Sequence, residues 1–409
     1  MKIIERNTYL EELKSLIGTP DIKVITGVRR SGKSKLIEAF SQLLLETDSG
    51  ANIIHINFNL TEFEDLREYH ALESYVEERY MPGMNNYLLI DEIQMCSSFE
   101  LAVNSLYTKE KYDIYITGSN AFLQSSDLAT LFVGRTYELH VFPFSFNEYL
   151  RYFPSENIYA SLTKYITEGG MAGSYLYKNE IQKFRYINSE VLNALIVRDI
   201  VRKYKIRNEP VFHKILDFLI DNIGNKSSVP SICNVLTSEK TPVDPKTAGK
   251  YIDYLCKSFA FYRIRGYDIK GKKYLRSDDK YYLNDHSFKY ARLGTKNMDY
   301  GHVLENIIVI ELLRRGYEIY AGVFKDKEID FIAKKNGVKT YIQVAYDISD
   351  PKTFSWETTP LLQIRDAYPK MVIARTYQPP YNYEGIQIID AADWLLSSMM
   401  EQHAMTGSV

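Results

Sequence analysis

Cysteine is scarce in this 409-residue chain: Cys96, Cys233 and Cys256 lie far apart, with no C-x-x-C pair. That scarcity excludes a disulfide framework and a cysteine zinc site, and it points to a reducing compartment. The seven histidines (55, 70, 140, 213, 286, 302 and 403) show no metal-ligand spacing and read as structural or exposed. Net charge is also nearly absent, at -2. There is then no global attraction to nucleic acid, although local basic patches are not excluded. No apolar run approaches a membrane span, and Met1–Arg6 does not read as a signal peptide, so the expected location is cytoplasmic. What is present is ordinary for a folded chain: 45% hydrophobic and 25% charged residues, enough for two or three domains with cores of their own. The 34 Tyr and 19 Phe suit large interfaces but identify none of them.

Residues 27–34 read G-V-R-R-S-G-K-S, directly after the apolar run Ile22–Thr26 and before a helical pattern carried by Leu36, Ile37 and Phe40. Strand, glycine loop and helix in that order are the setting of a phosphate-binding loop. Gly27 and Gly32 allow a tight turn, and the backbone N–H groups of Arg30, Ser31, Gly32 and Lys35 would point at phosphates near a positive helix end. Lys33 would add a mobile cation for the terminal phosphates and Ser34 a hydroxyl ligand for Mg²⁺. The expected ligand is ATP.

Strand-like and helix-like segments alternate from about residue 20 to 145, as in a doubly wound parallel sheet. The strand candidates are 22–26, 52–58, 86–90, 113–117 and 136–142. The third, Asn86–Ile90, runs into Asp91 and Glu92. An Asp at such a strand end can hold Mg²⁺, and a following Glu can polarise the attacking water. The next strand ends Thr117-Gly118-Ser119-Asn120, where a polar residue would either sense the γ-phosphate or cap the next helix. Arg135 would reach the phosphates of its own or a neighbouring subunit, or make a structural ion pair.

Several segments together resemble prokaryotic AAA-type P-loop ATPases that carry a winged helix and a C-terminal restriction-endonuclease-like domain. They are I-E-R-N-T-Y-L-E-E-L at 4–13, the glycine loop, L-L-I-D-E-I-Q at 88–94, T-G-S-N-A at 117–121 and G-R-T-Y-E-L-H-V-F-P-F-S-F-N-E-Y-L at 134–150. The resemblance implies four segments: an ATPase core at 1–145, a helical linker at 146–207, a winged helix at 208–295 and the nuclease-like domain at 296–409. It further implies Arg6 near the adenine pocket, Asn120 at the sensor position and Arg135 near the nucleotide.

Residues 146–205 read as helices interrupted by Gly169–Gly173. Helices over 211–223, 229–236 and 246–258, then Phe261–Ile264, a basic loop Lys270–Lys273 and Tyr281–Leu283, follow the winged-helix order. Lys246 and Lys250, with Tyr251 near them, would face a major groove, and Lys272 and Lys273 would meet phosphates on the wing. Docking of a protein partner through the same module stays open. In the last segment the resemblance predicts Glu305, Asp330 and a Glu-x-Lys tripeptide, but the tripeptide here is Gln343-Val344-Ala345. Without its lysine and one carboxylate, the site lacks what metal-dependent cleavage requires, so a nuclease fold that has lost its chemistry is expected. The sequence as a whole predicts an α/β, Mg²⁺-dependent ATPase that switches a DNA or protein partner. The alternative is a nucleotide-dependent DNA-binding regulator without turnover, and self-association is left open.

Overall fold

The structure is a computed structural model that describes residues 4–118, 132, 134–271, 273–274, 279–295, 299–325 and 327–397. Its described residues pack as two compact units. The first holds the chain up to Pro143 with 193–205 and 257–259, and the second holds the remainder.

In the first unit, α1 (Asn7–Ser15) precedes β1 (Ile22–Thr26), and α2 (Lys33–Thr47) leads to β2 (Ala51–Asn57). Then come α3 (Tyr69–Glu78), β3 (Asn85–Asp91), α4 (Phe99–Thr108), β4 (Asp113–Thr117) and β5 (Thr136–His140). The strands form one sheet in the order β2-β3-β4-β1-β5. Every pairing in it is parallel. Helices cover both faces, which is why the strands read as continuous apolar runs. Ile25, Leu89 and Tyr115 pack with Leu36, Ile37, Phe40 and Leu44 of α2 on one face. Val24, Ile90 and Ile116 pack with Leu72, Val76, Val103 and Leu106 of α3 and α4 on the other. Each such fully buried side chain is worth about 1.5–3 kcal/mol relative to exposure.

The second unit opens with α5 (Phe146–Tyr152), capped by Ser145 and Glu148 in a reciprocal box, and α6 (Ile158–Glu168). The glycine loop that follows is packed too closely for side chains. A Cβ on Gly169, whose φ is +74°, would meet Asp285 Oδ1 at 2.3 Å, and one on Gly170 would meet the Phe144 carbonyl oxygen at 2.4 Å. Gly170 N–H also donates to Asp285 Oδ2 at 2.7 Å. These contacts give the loop a packing role that its Met171-Ala172 sequence does not reveal.

Next come α7 (Glu180–Tyr186), α8 (Glu209–Asp221), β6 (Lys226–Ser227), α9 (Val229–Ser238) and α10 (Pro245–Lys257). They are followed by β7 (Phe261–Ile264), β8 (Gly266–Asp268), β9 (Lys273–Tyr274) and β10 (Asp279–Leu283). Strands β6, β10 and β7 make a three-stranded sheet beside those helices. The expected basic wing is not the tip of the β7–β10 pair. The chain leaves that pair, and β8 lies parallel to Glu318–Phe324. The reason is apolar burial: Tyr267 and Ile269 enter the core of the following sheet with Ile329, Ile332 and Tyr341. Lys272 lies outside the described residues, and Lys273 sits in β9, paired with Asp268. Tyr251, expected on the exposed face of α10, is 8% exposed and meets Phe212 edge-on.

The described residues continue with α11 (Ser287–Leu293), α12 (Tyr300–Arg314), β11 (Glu318–Phe324), β12 (Lys327–Lys335), β13 (Val338–Ala345) and α13 (Pro351–Leu362). After these come β14 (Lys370–Ala374), β15 (Tyr381–Tyr383), β16 (Ile386–Asp390) and α14 (Ala391–Leu396). The resulting sheet is eight-stranded, in the order β15-β16-β14-β13-β12-β11-β8-β9.

Glu305 on α12 and Asp330 on β12 come together around a cation from a distant part of the sequence. Lys280 Nζ of β10 is 2.8 Å from Glu305 Oε1, 2.6 Å from Glu328 Oε1 and 3.8 Å from Asp330 Oδ1. Tyr282 also donates to Glu305, and Lys226 pairs with Glu328 at 2.8 Å. Gln343 accepts from Asp330 N–H at 2.7 Å and donates to Glu357 at 2.9 Å. Burial, and Glu305 after it, push Asp330 well above the usual carboxylate range. Burial likewise raises Glu357 to about 7, against the lowering effect of the Gln343 amide.

Two outcomes follow for stability. Lys280→Met would strand the carboxylates without their cation and cost about 3–5 kcal/mol, read as a lowered calorimetric transition. For Glu357, a folded pKa above the unfolded one means that the native state holds the proton more tightly. Its contribution therefore falls as pH rises from about 4.5 through about 7. Glu357→Gln keeps the acceptor for Gln343. It should match wild type in melting temperature near the bottom of that window and exceed it above the top.

Candidate functional site

Parallel pairing brings Thr26, Asp91 and Thr117 to the same end of the first sheet. Ile25 stands opposite Thr117, and β4 lies between β1 and β3. The loop Gly27–Gly32 turns over this end. Gly27 has a φ of +149°, and a Cβ there would meet the Val141 carbonyl oxygen at 2.3 Å, so only glycine lets the loop pass the end of β5. Gly32 caps α2 with a φ of +100° and no side-chain cap, which leaves the first-turn amides of the helix open to an anion.

Lys33 is 5% exposed, and its ammonium donates to the Gly27 and Val28 carbonyls at 2.8 and 3.2 Å. It is thus folded onto its own loop. The Ser34 hydroxyl stands beside Asp91, which is 1% exposed. Burial raises the Asp91 carboxyl, while the Ser34 and Thr117 hydroxyls and the Lys33 charge pull it down. Asp91 Oδ2 is buried without a hydrogen-bond partner among the described residues. An orphaned carboxylate oxygen beside a hydroxyl is a donor set that suits a hard divalent cation. Two protein oxygens are too few for Mg²⁺ alone, so phosphate and water would have to supply the rest.

Glu92 stands in the left-handed region, φ 58° and ψ 46°, a conformation that a non-glycine residue adopts at a cost of about 1–2 kcal/mol. Its N–H donates to the Thr117 hydroxyl at 3.0 Å, and that hydroxyl donates in turn to Asp91. Gln94 holds the Glu92 carboxylate at 2.6 Å. Thr117 therefore orients both acids, a role that sequence reasoning missed because it turns on the adjacency of β4 to β3. Of the other loop residues, Arg30 is exposed with a φ of 67°. Ser31 is buried, and its hydroxyl lacks a hydrogen-bond partner among the described residues. Lys35 is exposed and pairs with Glu38 at 2.5 Å.

Arg6 is at the loop but makes backbone contacts: its guanidinium donates to the Ser31 and Phe142 carbonyls, both at 2.9 Å. Asn120 lies outside the described residues. Arg135 needs correction as a residue near its own phosphates. Ile22 N–H donates to the Arg135 carbonyl, so this residue sits where β1 begins, whereas the glycine loop follows where β1 ends. A strand of that length separates the two by roughly 16 Å. The Arg135 guanidinium lies over the Tyr107 ring, 5.2 Å from its centroid.

Residues 19–150 match the model of the AAA domain, and residues 159–299 match a domain of unknown function, DUF8612. An uncharacterized protein of Haemophilus influenzae is 36% identical over 407 residues, covering 96% of this chain and 99% of that one. An uncharacterized protein of Methanocaldococcus jannaschii is 28% identical over 368 residues, covering 85% of this chain and 79% of its own. Among solved structures, AMPPCP-bound DnaA from Aquifex aeolicus is 15% identical, with a TM-score of 0.31, and covers 62% of this chain and 89% of that one. The S. cerevisiae Hsp104–ADP complex is 14% identical, with a TM-score of 0.31, and covers 63% of this chain and 38% of that one. With residues 19–150 matching the AAA domain and with this relative matched over nearly the whole of both chains, the protein belongs to one family with the Haemophilus influenzae protein.

Proposed function

We propose that the protein binds and hydrolyses ATP with Mg²⁺ and uses the cycle to switch a DNA or protein partner. The observation that carries this reading is the buried, unpartnered Asp91 Oδ2 beside Ser34, directly below the Lys33 loop. In it, Ser34 and Asp91 would hold the metal ion, which neutralises phosphate charge when bound. Lys33 would exchange its two loop carbonyls for phosphate oxygens. The amides of Arg30 to Lys35 would line the phosphates. Glu92, steered by Thr117 and Gln94, would take the proton of the attacking water as general base.

Asn120 stays in the sensor role that the resemblance implies. Arg135, far from its own loop, would serve only on a neighbouring copy, which ties it to a homo-oligomer. Helices α8, α9 and α10 with strands β6, β7 and β10 support a winged helix, and Lys246 and Lys250 are exposed on α10. A salt-dependent DNA contact through them fits that face. Nuclease action stays disfavoured, because Lys280 already neutralises Glu305 and Glu328. No helix of the described residues is long and apolar enough to cross a membrane. The three cysteines are unpaired, which suits a cytoplasmic protein.

Steady-state ATP hydrolysis tests the reading. Glu92→Gln should retain ATP binding and lose turnover by about 10²–10⁴-fold, the usual worth of a general base. Lys33→Ala should lose binding itself. Wild-type turnover in Glu92→Gln would remove Glu92 from the base role. Binding without turnover in the wild type would favour a nucleotide-dependent regulator.

A further inference from the structure

We infer that Arg6 is a positioning residue that couples the phosphate loop to the point where the chain leaves the first unit. This rests on the nucleotide-site reading above and extends it to how the bound state is passed on. Arg6 is 6% exposed, and its two terminal nitrogens divide between two segments. One donates to the carbonyl of Ser31 in the loop, and the other to the carbonyl of Phe142, each at 2.9 Å. The guanidinium also lies 4.5 Å from the centroid of the Tyr9 ring, and the Tyr9 hydroxyl accepts from Phe142 N–H at 3.2 Å. Both backbone groups of Phe142 are therefore held by the Arg6–Tyr9 segment.

The neighbouring residue is pinned to the other end of the loop. Val141 N–H donates to the Thr26 carbonyl at 2.8 Å, and its own carbonyl fills the space that a Cβ on Gly27 would need. Residues 141–142 thus touch the loop at its start through Gly27 and at its middle through Arg6. Pro143 is the last residue of the first unit on this pass of the chain, and Ser145 caps α5 two residues later. A shift of the Ser31 carbonyl, when the loop closes on phosphate, has a rigid planar fork to carry it to Phe142. Lysine cannot reproduce that fork, because its ammonium is a single point on a flexible stem. Through these two carbonyls the guanidinium acts on the loop and on the end of β5.

Hydrogen–deuterium exchange on the full chain, with and without AMPPNP and Mg²⁺, tests the coupling. In the wild type, nucleotide should slow exchange both at 27–34 and at 141–150. Arg6→Lys should bind the analogue roughly 10-fold more weakly, the worth of one lost charged hydrogen bond. At saturation it should keep the protection at 27–34 and lose most of it at 141–150. Tyr9→Phe removes the hydroxyl bond to Phe142 while Arg6 stays in place, should show a smaller loss at 141–150, and decides the matter where Arg6→Lys does not fold. Protection of both segments at wild-type levels in the variants would overturn the coupling. So would wild-type protection confined to 27–34. Absence of protection at 27–34 in the wild type would instead remove the nucleotide-site reading, and the coupling with it.

Discussion

Parallel pairing of β1 with β4, and of β4 with β3, is the constraint on which the nucleotide site depends. In a parallel sheet all strands finish at one edge, so the loop after Thr26, the acids after Ile90 and the hydroxyl of Thr117 have to meet. No direct bond between the loop and Glu92 is needed. The strand order does the work, and it is secured by apolar layers on both faces of the sheet and by polar pairs between neighbouring strands, such as Lys23 with Asp113. The same geometry sends Arg135 to the opposite edge, where its guanidinium rests on Tyr107.

A second constraint is steric. The loop passes the end of β5 so closely that Gly27 has no room for a side chain, and Arg6 closes the remaining gap with two backbone acceptors. Close approach of this kind makes the loop and the end of β5 a single mechanical element. Packed protein interiors transmit displacement because they do not compress.

Local patterns made the centre of the site legible. Glycines, lysine and serine at fixed offsets, and two acids after an apolar strand, are each contained in a few adjacent residues. Five strands in the first sheet were likewise visible as apolar runs, shifted by a residue or two at their ends. Features made by distant segments were not visible. Thr117 matters only because β4 neighbours β3. Arg6 bonds carbonyls, which carry no side-chain signal at all. Lys280 neutralises Glu305 and Glu328 from β10, far upstream of both, and β8 abandons a hairpin to bury Tyr267 and Ile269 in another sheet. Helical spacing suggested Tyr251 as a surface residue, but the Phe212 ring beside it claims its face.

The central claim is that Asp91, with Ser34, forms the metal-holding half of an ATP site. Equilibrium binding of ATP, with and without Mg²⁺, to the wild type and to Asp91→Asn tests it most directly. The account predicts that Mg²⁺ tightens ATP binding in the wild type and that the tightening disappears in Asp91→Asn, with metal-free affinity little changed. Equal Mg²⁺ enhancement in both proteins would contradict it.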